Sequence, residues 1–381
     1  MVDHDPVGEA LDPLRFAEKL LALLDSGRFT ATYKFATLTA LIDVCVESVD
    51  PTGVPARSIP GRQVGRRVLE LFWRHAVPYS ADTQKRYLRH STQAGDLVTR
   101  VTEFRERHQL PAGTTIDAAR QRHPEDFTAL ENHVVETVIR MPLPKLQRFG
   151  TGSGVQEDRF LYGYSWPDEV PVGRIRAAGF DDTLHLRPGV GEWLVRLAGV
   201  LRPIVEQRWA AFVADRSRDV VEAAYLDDFL FGSPRTGLGR VRAPLLDAQN
   251  GTCFYCGAAA TPSGSEVDHF IPWARHPDNG LHNLVAAHRR CNNAKRDSLA
   301  STSHLRRWVD RLRPGTAAAA HLVDLSAELR WPIDPTRGLG TARATYLWLP
   351  AGTLLWEGPG GYTPANPAEI RSSLLAPGET V

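Results

Sequence analysis

Four potential metal ligands, grouped in two pairs, constrain the fold of this 381-residue chain more than any other feature. Cys253 and Cys256 form a Cys-x-x-Cys pair, and His288 and Cys291 form a His-x-x-Cys pair. Each pair can form a tight turn, and two such turns supply the four sulfur and nitrogen ligands of a tetrahedral zinc ion. Because no coordination position then stays open, we predict a structural zinc on which this segment depends for folding.

The spacing of the two pairs differs from that of two common zinc motifs. A classical zinc finger has roughly 12–15 residues between its pairs and ends in two histidines, whereas residues 257–287 separate these pairs. A zinc deaminase needs a His-x-Glu before a Pro-Cys-x-x-Cys, and the chain lacks that arrangement. At this level His276 and His282 remain alternatives to His288 as the fourth ligand.

The residues between and after the pairs predict two strands and a helix. Residues 266–272 alternate along a short strand that carries Asp268 and His269, and residues 284–287 fit its partner. Residues 292–299 contain no glycine or proline and are predicted to open a helix. We therefore expect a hairpin followed by a helix, with polar residues facing each other.

This segment resembles the zinc-carrying HNH endonucleases, which have the ββα-metal fold. The resemblance rests on three motifs framed by the paired metal ligands, over about residues 250–300 of the chain. They are Asp-His-x-x-Pro at 268–272, Asn-Leu at 283–284 and Cys-Asn-x-x-Lys at 291–295.

The resemblance implies a role for each matching residue. His269 would activate the attacking water, and Asp268 and Asn292 would bind one catalytic divalent ion, Mg²⁺ or Mn²⁺. Asn283 would orient the histidine or pin the loop. A neutral imidazole is a suitable base near neutral pH, and oxygen ligands suit a hard ion that must also contact phosphate. The chain departs from the family at His288, where a cysteine is usual.

Positive charge also concentrates near this segment. Its five basic residues are Arg275, Arg289, Arg290, Lys295 and Arg296. Asp278 is the one acid between the first and the last of them. We predict that these five residues contact phosphates, which gives affinity for nucleic acid without a choice of sequence.

The whole chain has the composition of an ordinary soluble globular protein, with 43% hydrophobic and 23% charged residues. Its net charge is only +1, so any attraction to nucleic acid must be local. Three of the four cysteines lie in the zinc pairs and Cys45 lies in an apolar helical pattern, which predicts a reducing, cytoplasmic setting. We see neither a signal peptide nor an apolar stretch of about 20 residues, and predict no membrane partner.

The predicted fold class is α+β: a largely helical N-terminal domain with a few strands, a small ββα-metal domain with a structural zinc site, and a short C-terminal β-hairpin region. Periodicity predicts helices over 14–24, 33–45 (capped by Thr30 or Thr32), 64–72, 92–108, 126–141 and 192–213. Alternation predicts strands near 158–165 and 184–186, and a hairpin over 346–356 turning at 350–352.

We divide the chain into four segments. They are a helical targeting or specificity domain at 1–231 with a break near 150, a basic linker at 232–246, a nuclease domain at 247–312 and a C-terminal extension at 313–381.

The predicted function is metal-dependent hydrolysis of DNA, double-stranded DNA first among the substrates, in bacterial restriction or anti-phage defence. A second copy of the chain or a defence-system protein is a candidate partner. One alternative is a mobile-element or homing nuclease, and another is a zinc-stabilised nucleic-acid-binding protein with an inactive HNH module. The intact trio of Asp268, His269 and Asn292 favours an active enzyme over the last of these.

Overall fold

The computed structural model of the chain describes residues 12–26, 31–79, 85–91, 97–149, 154, 156–221, 225–232 and 237–375. The predicted cap Thr30 and residues 233–236 of the predicted linker lie outside these ranges. Within the described residues, no helix combines the length and apolar character needed to cross a bilayer.

The chain forms two compact units. The N-terminal unit comprises Met1–Val46 and Pro55–Gly232, and the C-terminal unit comprises Glu47–Val54 and Ser233–Val381. The chain therefore contributes to the C-terminal unit twice, first through the short segment Glu47–Val54 and then through all residues from Ser233 onward.

The N-terminal unit is mainly helical, as the amphipathic spacing predicts. Its helices are α1 (Pro13–Ser26), α2 (Tyr33–Glu47, whose last residue belongs to the C-terminal unit), α3 (Gly61–His75), α4 (Leu97–Arg107), α5 (Ile116–Arg122), α6 (Pro124–Arg140), α7 (Pro142–Lys145), α8 (Val172–Arg176), α9 (Val190–Arg196), α10 (Ala198–Arg216) and α11 (Leu226–Phe231). The single helix predicted over 192–213 is in fact two, because the backbone leaves helical geometry at Leu197.

Short strands complete this unit. They are β1 (Ser58–Pro60), β2 (Arg148–Phe149), β3 (Gln156–Glu157), β4 (Tyr162–Gly163) and β5 (Thr183–Leu186). An antiparallel sheet has the order β1-β5-β4, and β2 pairs with β3. Tyr162 is fully buried and donates its hydroxyl to the Leu143 carbonyl, so this strand contributes to the core.

A buried ion cluster joins three helices of the N-terminal unit. Asp43 of α2 pairs with Arg202 of α10, and its other oxygen lies 3.9 Å from Arg67 Nε of α3. The exposed fraction of each of these three side chains is below a tenth. Charges removed from water in this way require their partners, since an unpaired buried charge is strongly unfavourable.

Two stacked histidines lie in the same core. The rings of His75 and His90 are 5.2 Å apart, and Trp209 lies 4.9 Å from His75. Burial lowers the pKa of His75 well below its ordinary value and that of His90 to about 3. Both imidazoles are therefore neutral in the folded protein at pH 7.

The C-terminal unit combines two hairpins with six helices among its described residues. They are α12 (Gly239–Ala248), β6 (Ser265–His269), β7 (Leu284–His288), α13 (Arg289–Lys295), α14 (Thr302–Asp310), α15 (Ala317–Leu329), α16 (Pro335–Tyr346), β8 (Leu354–Gly358), β9 (Gly361–Pro364) and α17 (Pro367–Leu374). The first hairpin and α13 reproduce the predicted order of strand, strand and helix, although α13 begins three residues earlier than predicted.

Two boundary predictions in this unit are wrong. The segment predicted as a linker contains most of α12, because Val241 and Leu245 recur at helical spacing and are completely buried, which outweighs the proline and arginine content. The C-terminal hairpin turns at Pro359–Gly360 rather than at 350–352, where Gly360 adopts the positive φ of 79° that a tight turn requires.

The C-terminal extension and the zinc segment share one hydrophobic core. Trp308 stacks on Phe270 next to the first hairpin, with ring centroids 4.8 Å apart. From the second hairpin, Trp356 packs against Tyr255, with centroids 5.0 Å apart. Residues beyond 312 therefore help to fix the scaffold around the paired metal ligands.

Candidate active site

The paired cysteines and histidine converge on one point. One ligand atom from each of Cys253, Cys256, His288 and Cys291 lies within 4.8 Å of the others. Zn–S bonds of about 2.3 Å hold tetrahedral sulfur ligands roughly 3.8 Å apart, so the group fits a zinc ion. His288 Nε2 donates to the Ala259 carbonyl at 3.1 Å, which leaves Nδ1, 3.3 Å from Cys256 Sγ, as the ligand nitrogen.

The two other candidate histidines lie elsewhere. His276 Nε2 is 2.9 Å from Glu47 Oε1, and His282 Nε2 is 3.0 Å from Asp278 Oδ2. Both histidines are buried in these pairs, so neither replaces His288 in the cysteine group.

The first hairpin and α13 present polar side chains to each other. Glu266 and Asp268 share one face of β6 because strand side chains alternate, and Asn292 and Lys295 share one face of α13 because they are three residues apart. Asn292 Nδ2 donates to Glu266 Oε2 at 2.8 Å, and Lys295 Nζ is 3.1 Å from Asp268 Oδ2. Asp268 and Asn292 therefore lie on the same strand–helix interface.

The remaining oxygens of Asp268 and Asn292 suit a hard divalent ion. Tyr255 donates its hydroxyl to Asp268 Oδ2 at 2.5 Å, the oxygen that also faces Lys295. No described residue donates to Asp268 Oδ1, and the amide nitrogen of Asn292 is already used on Glu266. Each of these two side chains thus has one oxygen available to coordinate a metal, and oxygen is the ligand type that Mg²⁺ and Mn²⁺ prefer.

His269, at the end of β6, is held through its ring by Asn279. Its Nε2 donates to Asn279 Oδ1 at 2.7 Å, which leaves Nδ1 unprotonated. Burial lowers the pKa of His269 below 6.5, although the Asn279 hydrogen bond and Asp268 act in the opposite direction. A neutral imidazole with one free nitrogen is the form that can accept a proton from water.

Asn283 contacts the loop rather than the His269 ring. Its Oδ1 accepts from the Ile271 backbone N–H at 2.8 Å, and its Nδ2 donates to the carbonyls of Ile271 and Asp278 at 3.1 Å each. Of the two roles that the resemblance implies, this geometry favours pinning the loop. Asn279, which the sequence analysis missed, contacts the histidine, and only its place in an Asp-Asn-Gly turn signal marks it.

The loop that carries Asn279 is fixed by the C-terminal extension. Trp331 Nε1 donates to the Asn279 carbonyl at 2.6 Å, and Arg337 Nε lies 2.9 Å from both Asp278 and Glu47. Burial raises the pKa of Asp278, but Arg337 and then His282 hold it well below its usual value. The loop beside His269 is thus built on a buried, ionised carboxylate.

Residues 253–301 match the model of the HNH endonuclease family. The match starts at the first zinc ligand and extends past α13, so it includes the four zinc ligands and both strands of the first hairpin, but not Glu47, Trp331 or Arg337. The C-terminal unit of this chain therefore carries an HNH endonuclease domain, and this match covers none of the N-terminal unit.

Other comparisons add little to this HNH assignment. No curated protein matches the chain. Among solved structures, the type II-C Cas9 enzyme from Actinomyces naeslundii is 15% identical over 83% of this chain and 47% of that chain, with a TM-score of 0.19. The chain thus spans less than half of that enzyme.

The basic residues of the HNH domain divide into two groups. Arg275, Arg290 and Arg296 are exposed, and Arg289 is exposed with its Nε 3.0 Å from Glu266 Oε1. Lys295 is completely buried and donates to the His269 carbonyl at 2.9 Å. The prediction that Lys295 contacts a phosphate is therefore wrong, because its ammonium group neutralises Asp268 inside the domain.

Proposed function

We propose that the HNH domain hydrolyses phosphodiester bonds of DNA, with His269 as general base and with Asp268 and Asn292 as ligands of one divalent ion. The observation that carries this proposal is the pair of contacts between β6 and α13, one a hydrogen bond and the other an ion pair. Asn292 donates to Glu266 while Lys295 pairs with Asp268, so Asp268 and Asn292 lie on one strand–helix interface, and Asp268 directly precedes His269 in the chain.

In the proposed reaction His269 Nδ1 takes a proton from the attacking water while Asn279 holds the opposite ring nitrogen. Asn283 keeps the loop under the ring in place. A bound Mg²⁺ or Mn²⁺ supplies charge stabilisation for the phosphate and the leaving oxygen. The exposed side chains of Arg275, Arg290 and Arg296 contact neighbouring phosphates.

Cleavage of supercoiled plasmid with Mg²⁺ or Mn²⁺ tests the activity. The wild-type protein is expected to nick or linearise the plasmid, and His269→Ala is expected to be slower by about 10²–10⁴-fold, the usual loss of a general base. His321→Ala, which alters an exposed histidine on α15, is the matched control and should cleave like wild type. Intact plasmid with wild type and both metals contradicts the proposal and favours a nucleic-acid-binding protein.

We further propose that the N-terminal unit directs the nuclease to its target in restriction or anti-phage defence. The N-terminal unit is much longer than the segment that forms the active site, which supports a separate recognition role. Cleavage rates on unmodified, methylated and phage DNA test this assignment. Equal rates on all three substrates, by full-length protein, contradict it.

A further inference from the structure

Tyr255 lies between two zinc ligands in the chain, yet its hydroxyl reaches the other metal site. It directly precedes Cys256, its side chain is buried, and its hydroxyl donates to Asp268 Oδ2 at 2.5 Å. The turn that holds zinc is thus one hydrogen bond away from a carboxylate assigned to the divalent ion.

The position of Tyr255 is itself fixed from several sides. Its ring meets those of Trp356 and His304 edge to face, with centroids 5.0 and 5.3 Å away. Its carbonyl accepts from His304 Nε2 at 3.1 Å. A hydroxyl that is held this firmly can impose an orientation on the carboxylate it contacts.

The hydrogen bond also decides which oxygen of Asp268 is available. Tyr255 and Lys295 both contact Oδ2, and the Lys295 ammonium is fixed in turn by the His269 carbonyl. Rotation of the carboxylate would break both contacts. Oδ1 is therefore the oxygen of Asp268 that remains for an ion.

We propose that Tyr255 is a positioning residue that orients Asp268 for the divalent ion, so that the zinc turn sets the affinity of the catalytic metal site in addition to stabilising the fold. This inference rests on the proposed function in one respect, the assignment of Asp268 as a ligand. Groups that orient metal ligands through hydrogen bonds commonly change metal affinity by 10–100-fold.

Tyr255→Phe tests the inference because it removes only the hydroxyl and leaves the ring packing. We expect the variant to keep its zinc and to bind Mn²⁺ roughly 10–100-fold more weakly in electron paramagnetic resonance titrations. The Mn²⁺ concentration needed for half-maximal cleavage should rise by a similar factor. The cleavage rate at saturating Mn²⁺ should change much less. If Tyr255 had only a structural role, Tyr255→Phe would lower the melting temperature. It would not weaken Mn²⁺ binding while leaving the cleavage rate at saturating Mn²⁺ nearly unchanged.

Tyr346→Phe is the matched control. Tyr346 is also fully buried in the C-terminal unit, but its hydroxyl donates to the Ala300 carbonyl at 3.0 Å and not to Asp268. Its removal should leave Mn²⁺ affinity unchanged. Equal Mn²⁺ affinities for wild type and a zinc-loaded Tyr255→Phe overturn the inference.

A second measurement needs no substitution at Tyr255. In wild-type protein labelled with ¹³C at the tyrosine hydroxyl carbon, one of the nine tyrosine signals should shift on Mg²⁺ addition and should not shift in Asp268→Ala. The absence of an Asp268-dependent shift overturns the inference even if Tyr255→Phe fails to fold. If Mn²⁺ binding depends on Asp268 but DNA is not cleaved, the proposed hydrolysis is contradicted and the inference about Tyr255 is not. The Mn²⁺ affinity of Tyr255→Phe then tests that inference by itself.

Discussion

Asn279 Oδ1 accepts a hydrogen bond from His269 Nε2 at 2.7 Å, so an amide in a loop selects the tautomer of the proposed general base. The donated proton lies on one ring nitrogen and the lone pair on the other. The Asn279 backbone is in turn held by Trp331, a residue of the C-terminal extension. This chain of contacts makes the loop part of the proposed catalytic arrangement.

Asn279→Ala should lower the cleavage rate by about 10–100-fold at saturating metal, because the His269 ring loses its fixed orientation. Asn293→Ala, an exposed asparagine on α13, is the control and should keep the wild-type rate. Single-turnover rates on plasmid measure both variants. A wild-type rate for Asn279→Ala would show that the hydrogen bond is dispensable.

Cys291→Ala should release zinc and unfold the HNH domain, because three ligands hold the ion much less firmly than four. Cys45→Ala, which alters a buried cysteine of the N-terminal unit, should keep one zinc per chain. Metal analysis and circular dichroism of the purified proteins give the answer. A fully zinc-loaded Cys291→Ala would refute the ligand assignment.

The stacked histidines predict that acid destabilises the N-terminal unit. Their folded-state pKa values are lowered, that of His90 to about 3, whereas an unfolded histidine titrates near 6.5. Above about pH 6.5 both states are neutral and the pair has no effect. As pH falls below that value, only the unfolded chain takes up protons, and the free energy of unfolding falls by up to about 1.4 kcal/mol per pH unit for each histidine.

Denaturant unfolding followed by tryptophan fluorescence at pH 7, 6 and 5 measures this slope. His90→Phe removes one of the two titrating groups and should reduce the slope by up to about 1.4 kcal/mol per pH unit. An unchanged slope in a folded variant would mean that other groups cause the acid sensitivity.

Asp43→Ala should destabilise the N-terminal unit by about 3 kcal/mol, because Arg67 and Arg202 then remain buried with fewer acids to pair with. Asp215→Ala removes an exposed partner of Arg218 and should cost less than about 1 kcal/mol. Thermal unfolding of both variants provides the comparison. Equal losses would argue against a special role for burial.

The sequence alone predicted those features that depend on residues close together in the chain. The zinc ligands, the first hairpin and α13 depend on residue types at short spacings, and each lies close to its predicted position. Most helices of the N-terminal unit follow from apolar periodicity in the same way. The resemblance to HNH enzymes supplied roles for residues whose spacing alone had no unique meaning.

Contacts between distant residues could not be predicted. Asn279 acts beside His269 because Trp331 fixes its carbonyl, and His276 is paired with an acid 229 positions away. Lys295 looked like a surface cation because Arg289, Arg290 and Arg296 lie in the same basic segment, and these three are exposed. Its ammonium group pairs with Asp268 of strand β6, a contact that no pattern along α13 reveals.

Glu47 belongs to the C-terminal unit although nearly the whole N-terminal unit separates it from Ser233 in the chain. A truncated protein that starts at Ser233 would omit this acid and leave His276 and Arg337 without their shared carboxylate. During synthesis on the ribosome, this ion cluster can close only after both distant segments have emerged. The C-terminal unit is thus complete only when a short early segment of the chain joins the residues from Ser233 onward.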